Sequence, residues 1–149
     1  MLKMQATRTR FGDMRQAVKK TVKQSNLEIG VAIAGQAKAL APVDEGQLRN
    51  SLSASSLTET RLLNDSSGEQ AQALDTSGLS GDDVFTGSNS DHAIFPEYGT
   101  IKMVAQPFLR PSVEMVVDRK TPADIFSKYS AKEMEEELKK RKEEKWTST

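Results

Sequence analysis

Apolar residues recur at Phe11, Met14, Val18 and Val22, then at Ile29, Ile33, Ala37 and Leu40. Their spacing, built on threes and fours, lines one stripe of an α-helix and predicts a helix over 11–40. Unbroken, it would be ~45 Å long. Ser25, Asn26 and Gly30 weaken it midway and allow a bend there. The second half is rich in glycine and alanine (Gly30, Ala32, Ala34, Gly35, Ala37, Ala39), which lets another backbone come close. Pro42 stops it, because the residue before a proline is pushed out of helical geometry.

Asp44-Glu45-Gly46 then makes a turn. Over 48–63 the pattern loosens to alternation at Leu48, Asn50, Leu52 and Ala54, which predicts an antiparallel strand with one wet face. Residues 64–83 are poor in apolar side chains and dense in Ser, Gly, Asp and Gln, the composition of a long mobile loop. A short strand resumes at Val84-Phe85-Thr86-Gly87. The apolar stretch 92–99 holds Pro96, which argues against a central strand. After a loop over 101–106, Leu109, Val113, Val116 and Val117 step helically to about Lys120, with Pro111 tolerated in the first turn.

Thr121-Pro122-Ala123-Asp124 has the form of a helix start. Ser130 and Glu133 have capping-box spacing, with Tyr129 and Met134 as a staple. Beyond them the pairs Glu135/Lys139, Glu136/Lys140 and Glu137/Arg141 support a charged helix. Met134, Leu138 and Trp146 are its large apolar residues, a narrow stripe of the kind that lies on a neighbour. The expected class is α+β: a long N-terminal helix and C-terminal helices packed on a small antiparallel sheet, with a long internal loop. The expected division is a domain over 1–120 and a charged helical extension over 121–149.

Charge changes the picture locally. The 21 Lys and Arg balance the 21 Asp and Glu, so no net charge draws the chain to nucleic acid or membrane. Yet 1–24 carries seven cationic residues against Asp13, and 59–97 carries eight acids against Arg61. These two regions could attract each other between copies. No cysteine is present, which excludes disulfides, thiolate catalysis and cysteine-ligated metal sites. Apolar runs such as Val31-Ala32-Ile33-Ala34 are far too short to span a bilayer, and no signal-peptide pattern follows the basic N-terminus.

Candidate chemistry is sparse. His92 is the single histidine, and Ser90-Asp91-His92 are sequence neighbours that cannot adopt the facing geometry of a triad. Asp82-Asp83 and Asp44-Glu45 lack calcium-loop spacing. Neither an enzyme nor a cofactor is expected. The basic helix has no interleaved aromatics beyond Phe11, so loose, salt-sensitive phosphate contact is the most it supports.

Two segments narrow the reading. One is Ala41-Pro42-Val43-Asp44-Glu45-Gly46-Gln47-Leu48-Arg49-Asn50-Ser51-Leu52. The other is His92-Ala93-Ile94-Phe95-Pro96-Glu97-Tyr98-Gly99-Thr100, followed by Pro107-Phe108-Leu109-Arg110-Pro111-Ser112. In this order behind a long helix, over roughly 18–117, they resemble the gene-product-ten-like family of tailed phages. That resemblance implies a minor structural protein of the neck, of the head–tail joining or tail-completion kind. The 64–83 loop is longer than the family's usual connection, and the chain after Lys120 extends past the usual core.

By this reading the chain is made in the host bacterial cytoplasm and carried in the virion at the head–tail junction. Its expected partners are copies of itself in a homo-oligomeric ring, six-fold by expectation, the portal or adaptor–stopper side of the head connector, and a tail terminator or tail tube protein. Genomic DNA would pass without sequence-specific contact, and no membrane is involved. Candidate contact residues are Ile29, Ile33, Asp44, Arg49, Glu97, Tyr98, Phe108, Arg110, Met134, Leu138 and Trp146. Alternatives are a terminator capping the tail tube and a non-specific DNA-binding packaging accessory.

Overall fold

The computed structural model describes residues 2–42, 46–57, 60–62, 74–119 and 121–147. Helix α1 (Leu2–Leu40) is one continuous element through Ser25 and Gly30, starting earlier than its apolar stripe. At its length it spans ~60 Å. A short helix α2 (Gln47–Ser51) leads into β1 (Leu52–Ser56), followed by β2 (Thr60–Leu62) and β3 (Val84–Ser88). The sheet is antiparallel with β1 in the centre, in the order β2-β1-β3. A 3₁₀ turn (Asp91–Ala93), α3 (Ile94–Tyr98), α4 (Leu109–Asp118) and α5 (Thr121–Thr147) complete the α+β chain.

The face of α1 turned to the sheet is made of small side chains. Gly30, Ala34, Ala37 and Ala41 are buried, with Leu27 one turn before them, again at steps of three and four. The larger residues Met14, Val18 and Leu40 of the apolar stripe are exposed. Ile29 and Ile33 are half-buried beside the seam. Close approach explains this choice. A methyl group at Gly30 would lie 2.7 Å from Val84 Cγ1 and 2.9 Å from Thr86 Oγ1. The same proximity lets Thr86 donate its hydroxyl to the Gly30 carbonyl, at 3.3 Å. The core sits at the C-terminal end of this seam, where Ala37, Ala41, Leu52 and Phe108 are buried together and Leu48 and Leu109 pack on them.

The strand expected from residue 48 begins four residues later. Leu48 and Leu52 are four apart, a helical spacing as well as an alternating one, and one helical turn carries both inward. Asn50 N donates to Gly46 O, and Ser51 Oγ to Leu48 O. Nor does β1 have a wet face. Leu52, Ser53, Ala54 and Ser55 are all buried, and the Ser53 and Ser55 hydroxyls find no partner among the described residues.

Much of the expected loop 64–83 lies outside the described residues, but its last part is ordered. Leu74 is buried, Asp75 Oδ1 accepts from Ser77 N, and two turns follow at 76–79 and 80–83. The Asn26 amide donates to Asp82 O, and Lys23 Nζ lies 3.8 Å from the Asp82 carboxylate. Basic helix and acidic segment thus meet within one chain. On α4 the buried residues are Ser112 and Val116, while Val113 and Val117 face out. A serine serves there because α4 lies close against α1, and its hydroxyl returns to Leu109 O.

Helix α5 runs through Ser130 without a new start. Ser130 Oγ donates back to Ser127 O instead of capping, and Tyr129 reaches α1 instead of stapling Met134.

Adding a methyl at Gly30 should raise helix propensity by about 1 kcal/mol yet lose more to the collision with β-branched Val84. Gly30→Ala is expected to lower unfolding stability by about 1 kcal/mol in urea denaturation, and Gly30→Leu to lower it far more. A stabilised Gly30→Ala protein would show that the helix–sheet contact is looser than described.

Candidate functional site

No described helix is long and apolar enough to cross a membrane, and no group of acidic or histidine residues among those described could hold a metal ion. His92 is exposed, its ring 6.1 Å from that of Phe95. What the chain offers instead is surface of two kinds.

The first surface is built by Glu97. Helix α4 begins at Leu109 with no side-chain cap of its own, which leaves its first N–H groups unpaired. Glu97, on α3, supplies the acceptor from eleven residues upstream. Its Oε2 accepts from Phe108 N at 2.9 Å and Leu109 N at 3.0 Å, and its Oε1 from Arg110 N at 3.2 Å. Burial pushes the carboxyl's pKa up, but these three bonds and the Arg110 charge outweigh it and hold it below the ordinary glutamate value. Arg110 also lies over the Tyr98 ring, 5.7 Å from its centre.

The clamp closes the intervening segment into a tight turn. Gly99 has φ +76°, and a side chain there would strike Ala105 N at 2.8 Å. Thr100 N donates to Met103 O and Met103 N to Thr100 O, while Lys102 N donates to Thr100 Oγ1. Gln106 N donates to Pro96 O at 2.7 Å. Held this way, Ile101 and Val104 project into solvent, and Ile94, Phe95 and Tyr98 are exposed beside them.

The second surface lies between α1 and α5. The helices run antiparallel: Lys20 pairs with Glu133 and Glu136, and Tyr129 donates to Glu28 Oε1 at 2.9 Å. Glu133 is almost buried and holds Lys20, whose pKa is raised chiefly by that hydrogen bond. Docking through polar pairs leaves the large apolar side chains over. Met14 and Val18 on α1 face Phe126, Met134 and Leu138 on α5 across an open groove. Met134 is 67% exposed and Leu138 54%.

The residues singled out from sequence therefore separate. Tyr98, Arg110, Met134 and Leu138 are on the surface, in two different places. Glu97 is spent on the cap of α4, and Phe108 is wholly buried in the chain's own core, so its side chain has no face to offer a partner. Ile29 and Ile33 line a shallow groove against Val84 and Thr86, and Arg49 is half-buried. Asp44 and the Trp146 side chain lie outside what the structure describes. Sequence reasoning missed Ile101, Val104, Met14 and Val18 as surface. The signal available for the first two was a short loop, 101–106, rich in apolar residues with Lys102 as its one charge.

A protein-family model described as "HK97-gp10_like: Bacteriophage HK97-gp10, putative tail-component" matches residues 5–99, more than half of the chain. The match runs from α1 through α3 and stops before α4 and α5, and so before the Gln106–Ser112 part of the second motif. No curated protein and no solved structure matches the chain.

Replacing Glu97 by Ala should cost about 1–3 kcal/mol of stability at neutral pH, the value of a charge-assisted helix cap. Because its folded-state pKa is lowered, the contribution is complete above the ordinary glutamate value of 4.5 and fades as pH falls through the lowered one. Urea melts of both proteins from neutral to acid pH should show the gap closing. A gap constant down to acid pH would mean that the charged carboxylate is not the cap.

Proposed function

The chain belongs to the HK97-gp10-like family of bacteriophage tail components, and from that premise we propose that it forms a homo-oligomeric ring at the head–tail junction. The family makes it a structural protein of the phage tail, carried in the virion. The proposal adds its place and its form: a six-fold ring between the portal side of the head connector and the tail terminator or tube. Genomic DNA would pass through the ring without sequence-specific contact.

The observation that carries this is the open α1–α5 groove. A chain of this size that leaves Met14, Val18, Phe126, Met134 and Leu138 facing solvent along one line has apolar surface suited to another protein. Residues 121–149 are then an extension whose work is contact, carried on a 1–120 domain. A scaffold role fits the placement of Glu97, which is occupied as the cap of α4, and by this reading the protein acts by presenting surfaces.

The DNA-accessory reading is weakened by the described part of α1. Lys20 and Lys23 are engaged by Glu133, Glu136 and Asp82, which leaves fewer cations for phosphate. Deleting the gene and imaging the lysate by electron microscopy tests the proposal. Full heads separated from finished tails are expected; tails of abnormal length would favour a terminator instead. Intact, infectious virions would contradict a role at the junction.

A further inference from the structure

We infer that copies of this chain join head to tail through two unlike surfaces: the apolar turn at 101–104 of one copy seats in the α1–α5 groove of the next. This deepens the ring reading and rests on it.

Three observations lead to the pairing. The turn is preformed: the Thr100–Met103 bridge, the Gly99 backbone and the Glu97 clamp hold it. It displays Ile101 without cover from its own chain and Val104 at 84% exposure. Presenting apolar side chains on a rigid turn costs folding something and gains nothing for the monomer, whereas it lowers the ordering cost of binding.

Charge fits as well. Between Gly99 and Gln106 the single charged residue is Lys102, and the charged residues lining the groove are Glu133 and Glu137. Glu133 is held by Lys20, whereas Glu137 is engaged in an exposed pair with Lys140, of a kind worth little. Apolar side chains flanking a cation would thus meet an apolar trough edged by the Glu137 carboxylate.

Placement makes the contact one between copies. The groove is set by Met14, Val18 and Thr21, in the first half of α1. The turn is tied through Phe108 to Ala37 and Ala41 at the other end. Along the helix axis those positions lie ~30 Å apart. A contact between two different patches is heterologous, and repeating it closes a ring when the rotation per subunit divides the circle.

The absence of cysteine permits a clean test. Ile101→Cys and Met134→Cys are prepared separately and mixed under mild oxidation, with circular dichroism to check that each exposed-site variant folds. Crosslinked dimers are expected in the mixture and not from either variant alone. The double variant should give a ladder that ends at a closed ring. Lys102→Glu should slow crosslinking roughly fivefold, with recovery on pairing it with Glu137→Lys. Ile101→Cys dimerising alone as well as in the mixture would overturn the head-to-tail contact. Oligomers by light scattering with no crosslink would overturn the contact and leave the ring standing. A monomer that neither oligomerises nor crosslinks would count against both.

Discussion

Everything in this fold is arranged around how closely α1 can lie on the sheet. Gly30, Ala34, Ala37 and Ala41 present almost no side chain, so backbone meets strand with Thr86 bonded directly to a helix carbonyl. The consequence is a thin core. Among the described residues Phe108 and Leu52 are the large side chains wholly buried in it, Leu27, Leu74 and Val116 are nearly so, and alanine and serine make up much of the remainder. Such an interior gains less per residue from apolar burial than an aliphatic core does. It therefore leans on hydrogen bonds placed at its joints.

The most consequential joint is Glu97. A single carboxylate ends the turn, starts α4 and fixes Phe108 over the Ala37–Ala41 end of α1. Core and surface are coupled through it, since the bonds that seat Phe108 also set the angle at which Ile101 and Val104 leave the molecule. At the other end of α1 the logic is reversed. Lys20, Glu28, Tyr129 and Glu133 dock α5 by polar contacts, and the apolar stripe of both helices is left outside.

Much of this was legible in the sequence, and the failures have physical reasons. Pro42 and the three-four spacing placed the end of α1. The family resemblance rested on 41–52, 92–100 and 107–112, and the family match covers the first and almost all of the second but stops before the third. The glycine- and alanine-rich second half of α1 did permit the close approach seen, while the spacing of the larger apolar residues did not say which side faces the sheet; a helix lying directly on a sheet buries its smallest residues. On α4 likewise the small Ser112 is buried beside Val116, while Val113 and Val117 face out. Leu48 to Ala54 fits both a strand and a helical turn followed by a strand, and only the Gly46–Asn50 bond decides between them. Glu97 as a cap of α4 could not be found by local rules, because capping signals are sought within a turn of the helix start and not eleven residues away.

A protein built this way has two apolar surfaces at opposite ends of one rigid helix and a core too lean to spare either. That plan suits the ring proposed above, in which contact with neighbouring copies would add to the stability of each. The most direct measurement is a cryo-electron microscopy map of the neck of the intact virion, at a resolution that traces helices. A ring of identical subunits at the head–tail junction, each showing α1 and α5 side by side and touching the next subunit along their groove, is the predicted result. Finding this chain elsewhere on the tail, or as isolated copies whose α1–α5 groove faces solvent, would contradict it.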